Sequence, residues 1–297
     1  MAKPLFTPLA TALALIVGTG YAHAVPTEAD VATIVDESGS MDTEQGWLPG
    51  MISDLEAGLT GAGVGTAPDS NRYAKVGFGG HDDSSRPDDA PHKHQEGDSD
   101  WFGSGSYDND FFTSGSDEDG YDGIDFFFDN YSLRPGAATN LILATDEDRD
   151  VEDASLTKSG IKSQLNGNNA LLNAVVDASF ECDDGSAALG KDASGTGYVA
   201  DGSGGFTTCS GATNTGGDGS TESDYVDLAL SIGGAAWDLN QLRAGGDTAT
   251  SFTNAFVDIK VQEIQQQEPT PAPAPAPLAL AGIGLAAMGA ARWRKAG

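Results

Sequence analysis

Val31, Ala32, Ile34 and Val35 form a short apolar run that stops at Asp36, and runs of this kind alternate with helical repeats down the chain. After the first run, Leu48, Met51, Ile52, Leu55 and Leu59 fall on one side of a helix predicted over 47–59. Pro49 lies near its start, where a missing N–H is tolerated. Strands are predicted over 31–36, 73–78, 140–146, 170–176 and 235–239. The Leu141-Ile142-Leu143 run has no polar alternation, as expected of a strand buried on both faces. Helices are predicted over 120–131, with Ile124, Phe127 and Phe128 on one side, and over 156–165. A further helix over 225–232 is stopped by Gly233-Gly234, and a last one over 251–265 has Phe252, Phe256 and Ile259 as its core side. Alternating strands and helices predict an α/β fold in three layers, a doubly wound, mostly parallel sheet covered by helices on both faces.

Two stretches fall outside this alternation. Residues 80–115 read as an acidic loop insertion, and residues 181–222 as a glycine-rich insertion. With 297 residues, 39% hydrophobic positions and 40 glycines, the chain has enough apolar side chains for a core and enough glycine for long loops. The formal net charge of -30 changes the picture more. Such a chain repels nucleic acid and anionic lipid surfaces and attracts cations, and the same charge also serves solubility or a salty habitat.

Both ends carry processing signals. Lys3, the apolar segment 9–17 and Ala22-His23-Ala24 have the order of a secretory signal peptide over 1–24, with cleavage expected before Val25. A Pro/Ala linker over 268–277 precedes an apolar stretch over 278–291 and the basic end Arg292, Trp293, Arg294 and Lys295. The segment 278–297 resembles the PEP-CTERM sorting signals that exosortase systems process in Gram-negative bacteria. Glu268-Pro269 and repeated Pro-Ala pairs stand where that family has a Pro-Glu-Pro box. The apolar stretch is shorter than the roughly 20 residues of a membrane span, so transient membrane association is expected rather than a permanent anchor. Export places Cys182 and Cys209, the only two cysteines, in an oxidising compartment, where a disulfide closing the glycine-rich insertion is expected.

Candidate chemistry begins where the first strand ends. Asp36-Glu37-Ser38-Gly39-Ser40 offers a carboxylate and two hydroxyls to one point, and hard divalent cations take oxygen ligands. This Asp-x-Ser-x-Ser set resembles the metal-ion-dependent adhesion site of von Willebrand factor A-type domains. The resemblance implies one such domain over 29–267 and two further pieces of the site. One is an Asp at the end of a later strand, matched by Asp146 after Leu143-Ala144-Thr145. The other is a Thr from a middle loop, where this chain has Ser114-Gly115-Ser116-Asp117-Glu118-Asp119-Gly120. Asp117 stands at the expected place, Ser116 and Thr113 are alternatives, and the same acids also suit the start of a helix. The resemblance further implies Mg²⁺, or Ca²⁺ or Mn²⁺, held with one position open to an acidic group. That group would come from a surface protein or an acidic exopolysaccharide at the cell surface or in extracellular matrix. The competing expectation is an acidic structural matrix protein with a vestigial site.

Other polar clusters carry weaker signals. Asp108, Asp110, Asp117, Asp119, Asp122 and Asp125 recur among glycines, which raises an additional Ca²⁺ in the acidic loop. The EF-hand order is missing, and a solvated loop is the favoured reading. His81, His92 and His94 have no cysteine partners nearby and are expected at the surface. Ser38 and Ser40 lack a basic partner in a catalytic context and no Gly-x-Ser-x-Gly elbow is present, so no enzymatic activity is expected.

Overall fold

The structure is a computed structural model that describes residues 25–80 and 90–267. The expected leader 1–24, linker 268–277 and sorting segment 278–297 lie outside the described residues, as does His81. The chain is organised around β1 (Ala29–Asp36), in which every residue is buried. Alternation along the strand sends Ala29, Val31 and Val35 to one face and Ala32 and Ile34 to the other, so one strand feeds two separate cores. β1 pairs in parallel with β2 (Arg72–Phe78) on one side and β4 (Ala138–Thr145) on the other. β4 in turn pairs with β5 (Ala170–Val176), and β5 with β12 (Ala235–Asp238), all in parallel.

Helices α1 (Leu48–Gly61) and α6 (Gly246–Gln266) cover the first face, packing Leu48, Met51, Ile52, Leu55 and Leu59 with Phe252, Phe256 and Ile264. Helices α2 (Gly120–Asn130), α3 (Lys158–Gly167) and α4 (Asp227–Ser231) supply the second, with Ile124, Phe127, Ile161, Leu165 and Leu228. This is the three-layer α/β architecture expected from the alternation. Two helices differ at their starts. A π-turn over Glu222–Val226 precedes α4, and α6 begins five residues ahead of the expected 251 because its first turn is polar and glycine-bearing, with no apolar period to reveal it.

Both insertions differ from the loops expected of them, because they supply the strands that close the sheet edges. Within the acidic stretch, β3 (His92–His94) pairs antiparallel with β2, setting His94 opposite Lys75 and His92 opposite Gly77. His92 and His94 are therefore not surface residues: they are 3% and 6% exposed. An i, i+2 pair on one strand faces one side, and here that side packs on Phe111 and Phe112, with ring centroids about 5.0 Å apart. The acidity of the loop is also partly internal. Lys75, fully buried, places its ammonium 2.6 Å from Asp108, 2.5 Å from Asp110 and 3.5 Å from Glu96.

β6 (Ala178–Glu181) leads into the glycine-rich insertion, which folds into β7 (Ala187–Ala188), β8 (Gly190–Asp192), β9 (Gly197–Ala200), β10 (Phe206–Cys209) and β11 (Thr213–Gly217). β8, β9 and β10 extend the central sheet from β12, while β7, β6 and β11 form a small sheet of their own. Short antiparallel strands need little apolar periodicity, which is why the glycine content concealed them. Tyr198 of β9 stacks on Trp237 of β12 at 5.4 Å and seals the extension onto the first core. Gly190 makes the approach possible, since a Cβ there would lie 2.6 Å from the Ala236 carbonyl oxygen. Among the described residues no helix is long and apolar enough to cross a membrane.

Cys182 and Cys209 are joined, as expected, with Cα atoms 6.1 Å apart and a sequence separation of 27. The bond ties the small sheet to the outermost strand of the large one. In the loop-entropy model, changing both cysteines to serine costs about 3 to 4 kcal/mol. Urea denaturation of the double variant is expected to show that loss, and an unchanged midpoint would mean that the Trp237–Tyr198 packing alone orders the insertion.

Candidate functional site

In the order β3-β2-β1-β4-β5-β12 the chain winds outward in one direction from β1 and in the other from β4. Open α/β sheets bind ligands at such a switch point, beyond the carboxyl ends of the strands. β1 ends there on Asp36 and β4 on Thr145, with Asp146 following. The register that pairs Val35 with Ala144 brings Thr145 beside Asp36, and the Thr145 hydroxyl donates to Asp36 Oδ2 at 2.8 Å. The Ser38 amide donates to Asp36 Oδ1 at 2.7 Å, curling the chain back so that the Ser38 and Ser40 hydroxyls lie 2.8 Å apart. Ser40 then donates to Asp146 Oδ1 at 2.9 Å. The side chain of Gln45 fastens this turn, donating to the backbone carbonyls of Asp36 at 3.1 Å and Phe112 at 3.0 Å.

Asp36, Ser38, Ser40 and Asp146 are thus brought to one place. The middle loop is arranged differently from its sequence reading. Asp117, Ser116 and Thr113 are exposed, and it is the next residue, Glu118, that turns inward, 2% exposed. Gly79 makes room for it. A Cβ at Gly79 would sit 2.9 Å from Glu118 Cγ and 3.5 Å from Asp36 Oδ1, and its φ of +67° also favours glycine. Asp119 serves the helix instead, accepting from the Tyr121 amide at 3.0 Å and pairing with Arg149 at 2.6 Å. Residue order alone does not choose between adjacent carboxylates, because only the turn of the loop decides which points inward.

Arg243, at the end of α5 (Leu239–Arg243), was not legible in the sequence at all. Its Nη2 donates to Asp146 Oδ2 at 2.7 Å and to the Ser40 carbonyl at 3.2 Å, and its Nε to Glu44 Oε1 at 2.6 Å. The guanidinium neutralises the rim of the site from β12's side. Beside it lies a pocket of about 460 Å³ lined by Ser40, Thr43, Glu44, Trp47, Leu242 and Arg243.

Electrostatics set the character of the centre. Burial raises the Asp36 carboxyl to about 6 against the hydrogen bonds from Ser38 and Thr145, and repulsion from Asp146 adds to the rise. Glu118 is raised to about 8, by burial first and then by Asp36, Glu147 and Asp150. Its Oε2 is buried with no hydrogen-bond partner. An all-oxygen set of carboxylates and hydroxyls, with an orphaned carboxylate oxygen beside it, fits a hard divalent cation of the Mg²⁺, Ca²⁺ or Mn²⁺ class.

No family model matches the chain, and no curated protein does. Solved structures with a similar layout include proximal thread matrix protein 1 of the mussel byssus, at 18% identity, a TM-score of 0.35, and coverage of 50% of this chain and 35% of that one. A form of the same protein with a zinc-occupied MIDAS motif gives 18% identity, a TM-score of 0.36 and coverage of 51% and 36%. An aerotolerance-related membrane protein of Bacteroides fragilis, carrying multiple mutations to serine, gives 13% identity, a TM-score of 0.41 and coverage of 80% and 98%. The chain spans about a third of the length of the thread matrix protein. At this level of likeness the site stands on its own geometry.

Since folding raises both Asp36 and Glu118, their protonated forms favour the folded state. That contribution is full below their unfolded values of 3.8 and 4.5 and is lost as pH rises through about 6 and about 8. In EDTA, the melting temperature is therefore expected to fall between about pH 5 and pH 8, and Mg²⁺ to restore more of it at the upper end. A thermal shift series at several pH values checks this; a Mg²⁺ effect that is absent, or equal at both ends, contradicts it.

Proposed function

We propose that this is an exported protein that binds an acidic group of a protein or polysaccharide partner through a divalent cation, at the cell surface or in extracellular matrix. The observation that carries this reading is the convergence of Asp36, Ser38, Ser40 and Asp146 at the switch point of the sheet, where the Ser38 amide donates to Asp36 at 2.7 Å and the Ser38, Ser40 and Asp146 side-chain oxygens are linked at 2.8 and 2.9 Å. Together with the Asp-x-Ser-x-Ser order, this supports a von Willebrand A-type adhesion site. The leader-like first 24 residues and the disulfide support export.

Ligand capture at this site rests on coordination rather than on excess positive charge. Asp36, Glu118, Asp146 and Glu44 set four negative charges against three from a dication and the Arg243 guanidinium, and the site is neutral when Glu118 holds its proton. A carboxylate completing the coordination of the metal would then meet Arg243 as a second donor, and Trp47 and Leu242 in the adjoining pocket offer apolar surface to the rest of the ligand. Nothing in such capture requires a covalent step.

A second reading, an acidic matrix protein with a vestigial site, draws on the Arg243–Asp146 pair, because a guanidinium already supplies part of the countercharge. The two readings separate on metal dependence. Binding of the purified protein to a polyuronate-coated surface or to whole cells is expected to require Mg²⁺ and to be abolished by EDTA. Ser40→Ala and Asp146→Ala are expected to lower it at least about tenfold while far-UV circular dichroism stays unchanged. Retention that ignores both EDTA and these variants would leave only the matrix reading. Arg243→Ala is expected to tighten Mg²⁺ binding by up to about tenfold, by removing a cation next to a ligand carboxylate, and to weaken capture of the acidic surface. Calorimetric Mg²⁺ titration and the same capture assay read the two effects independently.

A further inference from the structure

Glu37 occupies the variable position of the Asp-x-Ser-x-Ser turn, and its side chain leaves Asp36 for the opposite side of the strand end. There it meets the two histidines of β3. His94 Nε2 lies 2.7 Å from Glu37 Oε1, and His92 Nε2 lies 3.0 Å from Glu37 Oε2. All three side chains are buried, Glu37 completely, and one ligand atom from each falls within 4.8 Å of the others.

The outer contacts of these residues decide what the cluster can do. His92 Nδ1 is 3.2 Å from the Ala90 carbonyl oxygen, which can only accept, so a neutral His92 ring carries its proton on Nδ1. Its Nε2 is then a bare lone pair, buried, and it makes no hydrogen bond even though a carboxylate oxygen lies 3.0 Å away. A buried imidazole lone pair turned toward a carboxylate oxygen offers a cation two ligand atoms at once. On the other ring, His94 Nδ1 faces the Asp110 carboxylate at 3.6 Å, and Asp110 is itself held by Lys75. The Phe112 amide donates to Glu37 Oε1 at 2.7 Å and orients the carboxylate. An imidazole whose outer nitrogen faces a carbonyl or carboxylate, with its inner nitrogen turned to a common centre, is the arrangement that metal-bound histidines adopt.

We propose that Glu37, His92 and His94 form a second metal site, distinct from the oxygen-ligand site around Asp36, that takes a borderline divalent ion of the Zn²⁺ class. Two imidazole nitrogens and a carboxylate suit zinc and its neighbours, whereas hard Mg²⁺ prefers the all-oxygen set next door. Ligands around a tetrahedral zinc stand about 3.3 Å apart, a few tenths of an ångström more than the pairs here, so entry of the ion asks only for a small outward shift. The enclosure of the three side chains marks the site as structural. Its effect would be to pin β3, and through Phe112 the loop leading to Glu118, onto the turn that carries Asp36. The chain would then carry two ions back to back on one five-residue turn, of different classes because their ligands differ.

Zn²⁺ titration of the full chain with the neighbouring site saturated by Mg²⁺ tests this directly. The wild type is expected to take one tightly held equivalent. His92→Ala and His94→Ala are expected to weaken that equivalent by more than about 100-fold, while Asp146→Ala retains it. Should either histidine variant fail to fold, X-ray absorption on the zinc-loaded wild type decides, with two imidazoles per zinc expected. Zinc bound equally well by the folded histidine variants, zinc lost only with Asp146→Ala, no tight equivalent in the wild type, or an absorption spectrum without imidazole would each overturn the proposal. In the last two cases Glu37, His92 and His94 would be a hydrogen-bonded pair system and nothing more.

Discussion

The concentration of negative charge at the carboxyl ends of β1 and β4 is the constraint around which the rest of this molecule is arranged. Buried carboxylates are costly unless something positive or strongly donating faces them. Elsewhere the chain supplies fixed partners. Asp30 is gripped by Arg72 and Arg134, Asp119 by Arg149, and Asp110 by Lys75 and His94. At the switch point Asp146 has Arg243, but Asp36 is held by neutral donors, the Ser38 amide and the Thr145 hydroxyl. The raised values of Asp36 and Glu118 express that difference. Where the fold neutralises a carboxylate with its own side chain it builds structure, and Asp36 has no such cationic side chain among its hydrogen-bond partners in the described residues.

The same constraint gives meaning to the two insertions. Each closes one edge of a sheet whose outermost parallel strands would otherwise expose unpaired backbone groups. The acidic insertion does more than cap an edge, because β3 delivers two histidines to the back of the Asp-x-Ser-x-Ser turn. The glycine-rich insertion extends the sheet beyond β12, and β12 leads directly into the short helix carrying Arg243. Edge protection and site construction are therefore the work of the same segments.

The net charge of -30 separates into two populations with different consequences. Some carboxylates are internal and define geometry through specific pairs. Others, such as Asp184 and Asp201, sit in exposed turns of the insertion, where nearby serine donors hold them below the usual carboxylate range. The exposed population sets solubility and cation attraction, while the buried one sets what the switch point can hold.

The sequence by itself determined the alternation that makes the three layers, the turn at Asp36, the strand end at Asp146 and the pairing of the two cysteines. These rest on local periodicity, on residue type at a strand terminus and on there being only two cysteines, all of which a one-dimensional pattern records. Only the tertiary structure decided that Glu118 rather than Asp117 turns toward Asp36, that Arg243 reaches Asp146 from 97 residues away, and that two apparently superficial histidines are buried against Glu37. Each depends on which way a loop turns or which strand adds to an edge. Short antiparallel strands among glycines and acids leave no apolar period to announce them, and the direction of a side chain in a loop is set by the partners that close around it.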